Sequence, residues 1–133
     1  LNAGQGATAE RDGYDVLSFP SNLGNTPIEV MEALAPIRVQ HRRIRRGSGG
    51  KGKRRGGHGL DMAFEFRGDT PAVCSFIMTR LKVTPQGFLG GGPGKAGTLK
   101  VNGKTVDHAE HQVLNRGDQI LMQTAGGGGF SKP

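Results

Sequence analysis

The sequence has one cysteine, one tyrosine and no tryptophan in 133 residues. A lone Cys74 cannot close an internal disulfide or build a thiolate metal cage, so nothing points to an oxidising compartment and the cytoplasm is the expectation. No run of about 18 apolar residues occurs, which predicts no membrane-spanning helix and no membrane partner. The first residues, Leu1 to Gly6, have neither the basic end nor the apolar stretch of a signal peptide. Starting on leucine, the chain reads as a processed subunit or a piece of a longer polypeptide. Aromatic residues make up 5% of the chain, so platforms for stacking nucleic-acid bases are few. Acidic residues are missing between Glu32 and Asp61, whereas nine of the 18 lysines and arginines fall there, from Arg38 to Arg55. With a formal charge of +7, that run reads as a solvated basic loop or one docked on an acidic partner. A basic nucleic-acid-binding module is the alternative from another class.

What is abundant is glycine, at 24 residues, against a hydrophobic content of 34%. That balance allows one modest core with much irregular backbone around it. Residues 1–25 mix Gly, Ala, Asp and Ser without a period and read as an extended arm; residues 26–133 read as a single glycine-rich β domain. Thr26-Pro27-Ile28-Glu29 predicts a helix start, with Thr26 as cap, Pro27 at the first helical position and Glu29 reaching back. Ile28, Met31 and Leu34 would form its apolar stripe, and Pro36 ends it. The period then changes to two. Ile37 and Val39 face one way and Arg38, Gln40 and Arg42 the other; Met62, Phe64 and Phe66 oppose Asp61, Glu65 and Arg67. Ala72 to Met78 is nearly continuously apolar and predicts a strand buried on both sides, with Cys74 as a small core residue. Asn102-Gly103 predicts a two-residue hairpin turn, and Gln119 to Thr124 a last strand. The fold class is mainly β: antiparallel sheets in a barrel-like or sandwich arrangement, with glycine-rich extended segments and one short helix.

Three glycine clusters, Gly47 to Gly59, Gly87 to Gly97 and Gly126 to Gly129, separate or end these strands. Flexible linker and closely packed polyproline-II-like backbone are the two readings, and their position between strands of a compact domain favours the second. Gly47 to Gly52 satisfies G-x-G-x-x-G, but no amphipathic helix follows to meet a phosphate. Asp107, His108, Glu110 and His111 could ligate a metal, yet the segment is polar throughout and reads as a solvated turn. His41 and His58 have no acidic partner close in sequence, and Cys74 lies in the most apolar strand, where burial would keep its thiol inert. No catalytic or metal residue is therefore assigned in this chain.

The order of short motifs carries more than any one of them. Ala3-Gly4-Gln5-Gly6-Ala7 precedes Arg11-Asp12-Gly13, then Asn25-Thr26-Pro27-Ile28-Glu29, Ser48-Gly49-Gly50-Lys51-Gly52, Arg55-Gly56-Gly57-His58-Gly59, Pro85-Gln86-Gly87-Phe88-Leu89-Gly90-Gly91 and Thr124-Ala125-Gly126-Gly127-Gly128-Gly129-Phe130. From about Gly4 to Phe130 this resembles the end of the hydantoinase B/oxoprolinase family. It departs at Gly47, where the family often has aspartate, at Thr79-Arg80, where it has Asp-Arg, and at Ala125, where it often has proline. The resemblance implies a B-type subunit that works with an A-type, ATP-hydrolysing subunit. Together they would hydrolyse cyclic amides of the hydantoin or 5-oxoproline class; the alternative is part of a ketone carboxylase acting on acetone or acetophenone. ATP and a divalent metal would then belong to partner subunits or to the rest of the B-type subunit. This chain would supply scaffold and interface through Asn25, Thr26, Pro27, Glu29, Gly49, Gly50, Arg55, Gly56, Gly57, Arg80, Gly87, Gly90, Gly91, Gly126, Gly127, Gly128 and Gly129.

Overall fold

The structure, a computed structural model, describes residues 2–18, 21 and 23–133. One helix, α1 (Ile28–Leu34), precedes seven strands: β1 (Ile37–Arg45), β2 (Gly59–Phe66), β3 (Ala72–Cys74), β4 (Thr98–Val101), β5 (Lys104–Thr105), β6 (Gln112–Leu114) and β7 (Gln119–Gln123). All pairings between strands are antiparallel. Five strands make an open sheet in the order β1-β2-β7-β4-β5, and β3-β6 form a separate ribbon. The mainly β expectation holds, without a closed barrel.

The core sits on one face of the large sheet, where Met62, Phe64 and Phe66 of β2, Leu99 of β4 and Ile120 of β7 meet Phe76, Met78 and Leu114. Burying each such side chain stabilises the fold by roughly 1.5–3 kcal/mol. β2 is central in this packing because its alternation puts three large side chains inward. The Asn102-Gly103 turn forms as expected, with φ of 48° and 78° that match a tight antiparallel hairpin.

Four expectations need correction. Thr26 does not cap α1: Pro27 at ψ 145° is still extended and takes the cap position, so the helix begins one residue later without a side-chain cap. Of the expected stripe only Met31 packs against the core, and Leu34 is 82% exposed. The β1 alternation is broken by a bulge between Val39 and His41. One extra residue reverses the phase. Arg42 therefore pairs with core-facing Met62, while His41 and Arg43 pair with Ala63 and Asp61 on the opposite face. Ala72 to Met78 is not a strand buried on both sides either. Only Ala72–Cys74 is paired, Val73 and Ile77 point out at 71% and 96% exposure, and Phe76 and Met78 point in. A two-stranded ribbon has one covered face, so an apolar run laid on it must leave alternate members in water.

The glycine clusters are packed. Residues 125–130 run through the middle of three other groups of segments, residues 3–7, 48–58 and 86–95. Gly126, Gly127, Gly129 and Phe130 donate their N–H groups to the carbonyls of Lys95, Gly57, Gly92 and Arg54 at 2.8–3.1 Å. The carbonyls of Ala125, Gly127, Gly128 and Gly129 accept from Gly4, Gly50, Ala7 and Phe88 at 2.8–3.0 Å. A sheet strand has partners on two sides; a backbone with partners on three has the threefold character of the polyproline-II helix. The spacing admits no side chain: a Cβ on Gly127 would stand 1.9 Å from the carbonyl oxygen of Gln5, and one on Gly57 1.9 Å from that of Tyr14.

Gly127→Ala should therefore destabilise the chain by more than about 3 kcal/mol, since the obstacle is backbone and not a movable side chain. Gly24, with open space around it, should tolerate alanine with a change within about 1 kcal/mol. Urea denaturation of the two variants beside the parent checks the pair.

Candidate functional site

Twelve of the interface residues read from sequence are glycines or Arg55, and the fold gathers most of them into the lattice. Gly49, Gly50, Gly56 and Gly57 pack on Gly126 to Gly129, and Gly87 and Gly91 close the far side. Gly90 stands at the rim with φ 86°. Asn25, Thr26, Pro27 and Glu29 are exposed at the start of α1 and take no part in the lattice. Arg80 is also outside it. Its side chain is exposed, its φ is 60°, and its carbonyl accepts the Gly97 N–H at 2.8 Å.

Polar side chains tie the lattice to the sheet. Ser48, fully buried, donates from Oγ to the Arg45 carbonyl at 2.7 Å and accepts the Gly59 N–H at 2.9 Å. Thr124 Oγ1 accepts the Leu60 N–H at 2.7 Å and donates to the Asn2 carbonyl at 2.8 Å. His58 accepts the Gly49 N–H on Nδ1 at 3.1 Å, while its own backbone N–H donates to Asp15 at 2.6 Å. Arg55 Nη1 reaches the same Asp15 oxygen at 3.1 Å. Burial would raise the Asp15 carboxyl, but the His58 N–H and Arg55 outweigh it and hold it below its ordinary value. Burial and the neighbouring Arg55 and Arg46 charges keep His58 below its ordinary value, against the pull of Asp15.

A second polar group lies on the sheet face opposite the core. Asp61, at 6% exposure, accepts from Arg43 Nε at 2.9 Å and Gln123 Nε2 at 3.1 Å, with His41 Nε2 at 3.3 Å. Burial raises its carboxyl, and the Arg43, Gln123 and His41 contacts more than reverse that, leaving it lowered. This cluster was missed by sequence reasoning, which put Asp61 with Glu65 and Arg67 on the face opposite Met62, Phe64 and Phe66 and found no acidic partner close in sequence to His41. The bulge in β1 assembles it, and no spacing in the sequence announces the bulge.

The other chemistry-bearing residues stay apart. Among the described residues no group of three or more His, Cys, Asp and Glu is placed to hold a metal. Asp107 pairs with Lys82 and His108 on the surface, and His111 Nδ1 meets Ser75 Oγ at 2.6 Å with no carboxylate on its ring. Three amides of the G-x-G-x-x-G segment are taken within the fold: Ser48 N–H goes to Arg45, Gly49 to His58 and Gly50 to Gly127. Burial pushes the Cys74 thiol up. What these residues do is hold segments together, so the candidate site is the lattice and its polar rim.

A model of the hydantoinase B/oxoprolinase family matches residues 1–133. The chain is 33% identical over 138 residues to a 5-oxoprolinase of Dictyostelium discoideum, covering 99% of this chain and 11% of that protein. Its fold is similar to an ATP-dependent caprolactamase from Pseudomonas jessenii, with a TM-score of 0.73, 23% identity, and coverage of 100% of this chain and 25% of that one. An acetone carboxylase gives a TM-score of 0.70 at 20% identity, covering 98% of this chain and 22% of that one. The chain thus spans a quarter or less of each of these relatives.

The pKa directions give a pH prediction. His58 titrates lower in the folded chain than its ordinary 6.5, so below that value the unfolded state takes up a proton first and stability falls. Asp61, lowered from 3.8, adds a further loss only as pH drops below the ordinary carboxylate range. The urea midpoint should be lower at about pH 5.5 than at about pH 7.5, and in His58→Gln that difference should shrink. An unchanged difference in His58→Gln would assign the loss to other groups.

Proposed function

Because the chain belongs to the hydantoinase B/oxoprolinase family, we propose that it is a scaffold and interface domain of an ATP-dependent enzyme that hydrolyses cyclic amides of the hydantoin or 5-oxoproline class. The carrying observation is the match of the family model to residues 1–133, in a chain whose buried Ser48, Thr124 and Asp61 side chains hold segments together. ATP chemistry fits such substrates because an amide carbonyl is a poor electrophile. Phosphorylating its oxygen turns that oxygen into part of a leaving group, and positioning supplies much of the remaining rate. Among the described residues no group of three or more His, Cys, Asp and Glu is placed to hold a metal. Its part is to present a rigid surface to the rest of the B-type subunit and to an A-type ATPase.

The distribution of cations supports this reading over a nucleic-acid module. Arg43 is held by Asp61, Arg55 by Asp15, and Arg42 Nη1 by the Thr26 carbonyl at 2.5 Å. Three of the nine cations of the basic run are thus bound into the fold, and no aromatic residue stands among it.

A tagged copy of the chain, captured from its native cell after nuclease treatment, should bring down large A-type and B-type proteins. The complex should show ATPase activity stimulated by 5-oxoproline or hydantoin. Gly127→Ala should abolish capture while Gly24→Ala preserves it. Stimulation by acetone instead would assign the complex to ketone carboxylation, and a chain that is recovered alone would overturn the reading.

A further inference from the structure

On the sheet face opposite the core, a cleft of about 680 Å³ opens between the end of β1 and the loop before β4. Arg43, Arg45, Arg46 and Lys95 line it, and Asp61 lies at its floor. Four cations therefore face one carboxylate. That carboxylate is taken by Arg43 at 2.9 Å. Arg45, Arg46 and Lys95 have no carboxylate within ion-pair distance among the described residues.

Arg45 is the distinctive member. It is half-buried, and its Nη1 is pinned by the carbonyls of Ala96 at 2.6 Å and Thr124 at 3.1 Å. Carbonyls orient a guanidinium but carry no charge to neutralise it, and its other N–H donors have no protein partner among the described residues. Asp61 acts on Arg45 only from beyond ion-pair distance and is itself held by Arg43; a cation drawn partly out of water without a directly paired counter-ion is costly, so the arrangement asks for an anion. Donors converge there from β1 and from the Lys95 loop, while Ile44 is the sole apolar residue in the lining. Convergent cationic donors suit a compact group with several oxygens on one atom.

We propose that this cleft is an oxyanion site for a phosphate-bearing ligand, with Arg45 as its fixed seat and Arg46 and Lys95 as the mobile cations that close on it. The site stands on geometry independent of the enzymatic reading above. Its position, where β1 and the residues flanking β7 meet the glycine lattice, means that an occupant would tie the sheet to residues 95–96 and 124.

The test is calorimetric titration of the chain with inorganic pyrophosphate, inorganic phosphate and ADP at about 50 mM salt, where surface charge is only partly screened. Pyrophosphate should bind saturably at one site. Arg46→Gln combined with Lys95→Gln, both exposed and therefore compatible with folding, should weaken binding by about tenfold or more. Lys104→Gln combined with Lys132→Gln removes the same charge elsewhere and should leave affinity within about twofold. Tighter binding of ADP than of pyrophosphate would identify a nucleotide as the source of the phosphate, and the reverse order a free phosphate; both support the site. Equal losses in the two double variants, or no saturable binding, would overturn it. So would tighter binding of a glutamate-rich peptide through the same residues, which would make the cleft a protein-docking surface.

Discussion

Backbone lying directly on backbone around residues 125–130 is the constraint on which the rest of the structure depends. Three other groups of segments reach this one at hydrogen-bond distance, and they can do so only because the positions between them have no Cβ. Side chains normally fill a core; here a second interior is filled by peptide groups, whose donors and acceptors are satisfied by one another. Such an interior contributes little apolar burial, so its cohesion comes from hydrogen bonds each worth about 1 kcal/mol net and from dense dispersion contact. The apolar core beneath β2 and the polar pins at Ser48, Thr124 and His58 complete what the lattice alone would not stabilise.

The two interiors divide the sequence between them. Alternating strands build the sheet and its core, whereas glycine runs that break every strand pattern build the lattice. That is why a chain with only 34% hydrophobic residues can still hold a defined shape. It also explains the polar rim. Where a sheet ends against bare backbone there is no apolar surface to bury, and hydroxyls, an imidazole and a guanidinium make the junction. Arg45 belongs to that junction as much as Ser48 does, since both bond to main-chain carbonyls across it.

Legibility in the sequence followed the range of the forces involved. Met62, Phe64 and Phe66 were readable because alternation is a local consequence of pleating, and Asn102-Gly103 because its turn needs two positive φ angles side by side. The packed state of the glycine runs was readable from their placement between strands. Thr26 misled because Pro27 kept the chain extended for one more residue, a matter of one dihedral. Ala72 to Met78 misled because hydrophobicity was continuous while the ribbon it joined had a single covered face. Asp61 with Arg43 and His41 was not readable at all, because a bulge one residue long decides which face each side chain meets. For the site, the glycines were legible as a group and their partners were not: Gln5, Tyr14 and Gln86 supply carbonyls, which every residue has.

The lattice joins residues near 5, 50, 90 and 127, so none of its central contacts closes until the chain has been brought together from four distant stretches. Loops of some forty residues must be closed before the middle segment finds its neighbours, and that entropy is spent before the contacts repay it. A sheet assembled first, with β2 and β7 already in register, would deliver Gly59 and Thr124 to the same place and shorten the remaining search. The lattice is then a late-forming element whose glycines leave the unfolded chain unusually mobile, and a ligand or neighbouring domain holding its rim would act as much on the rate of assembly as on its final stability.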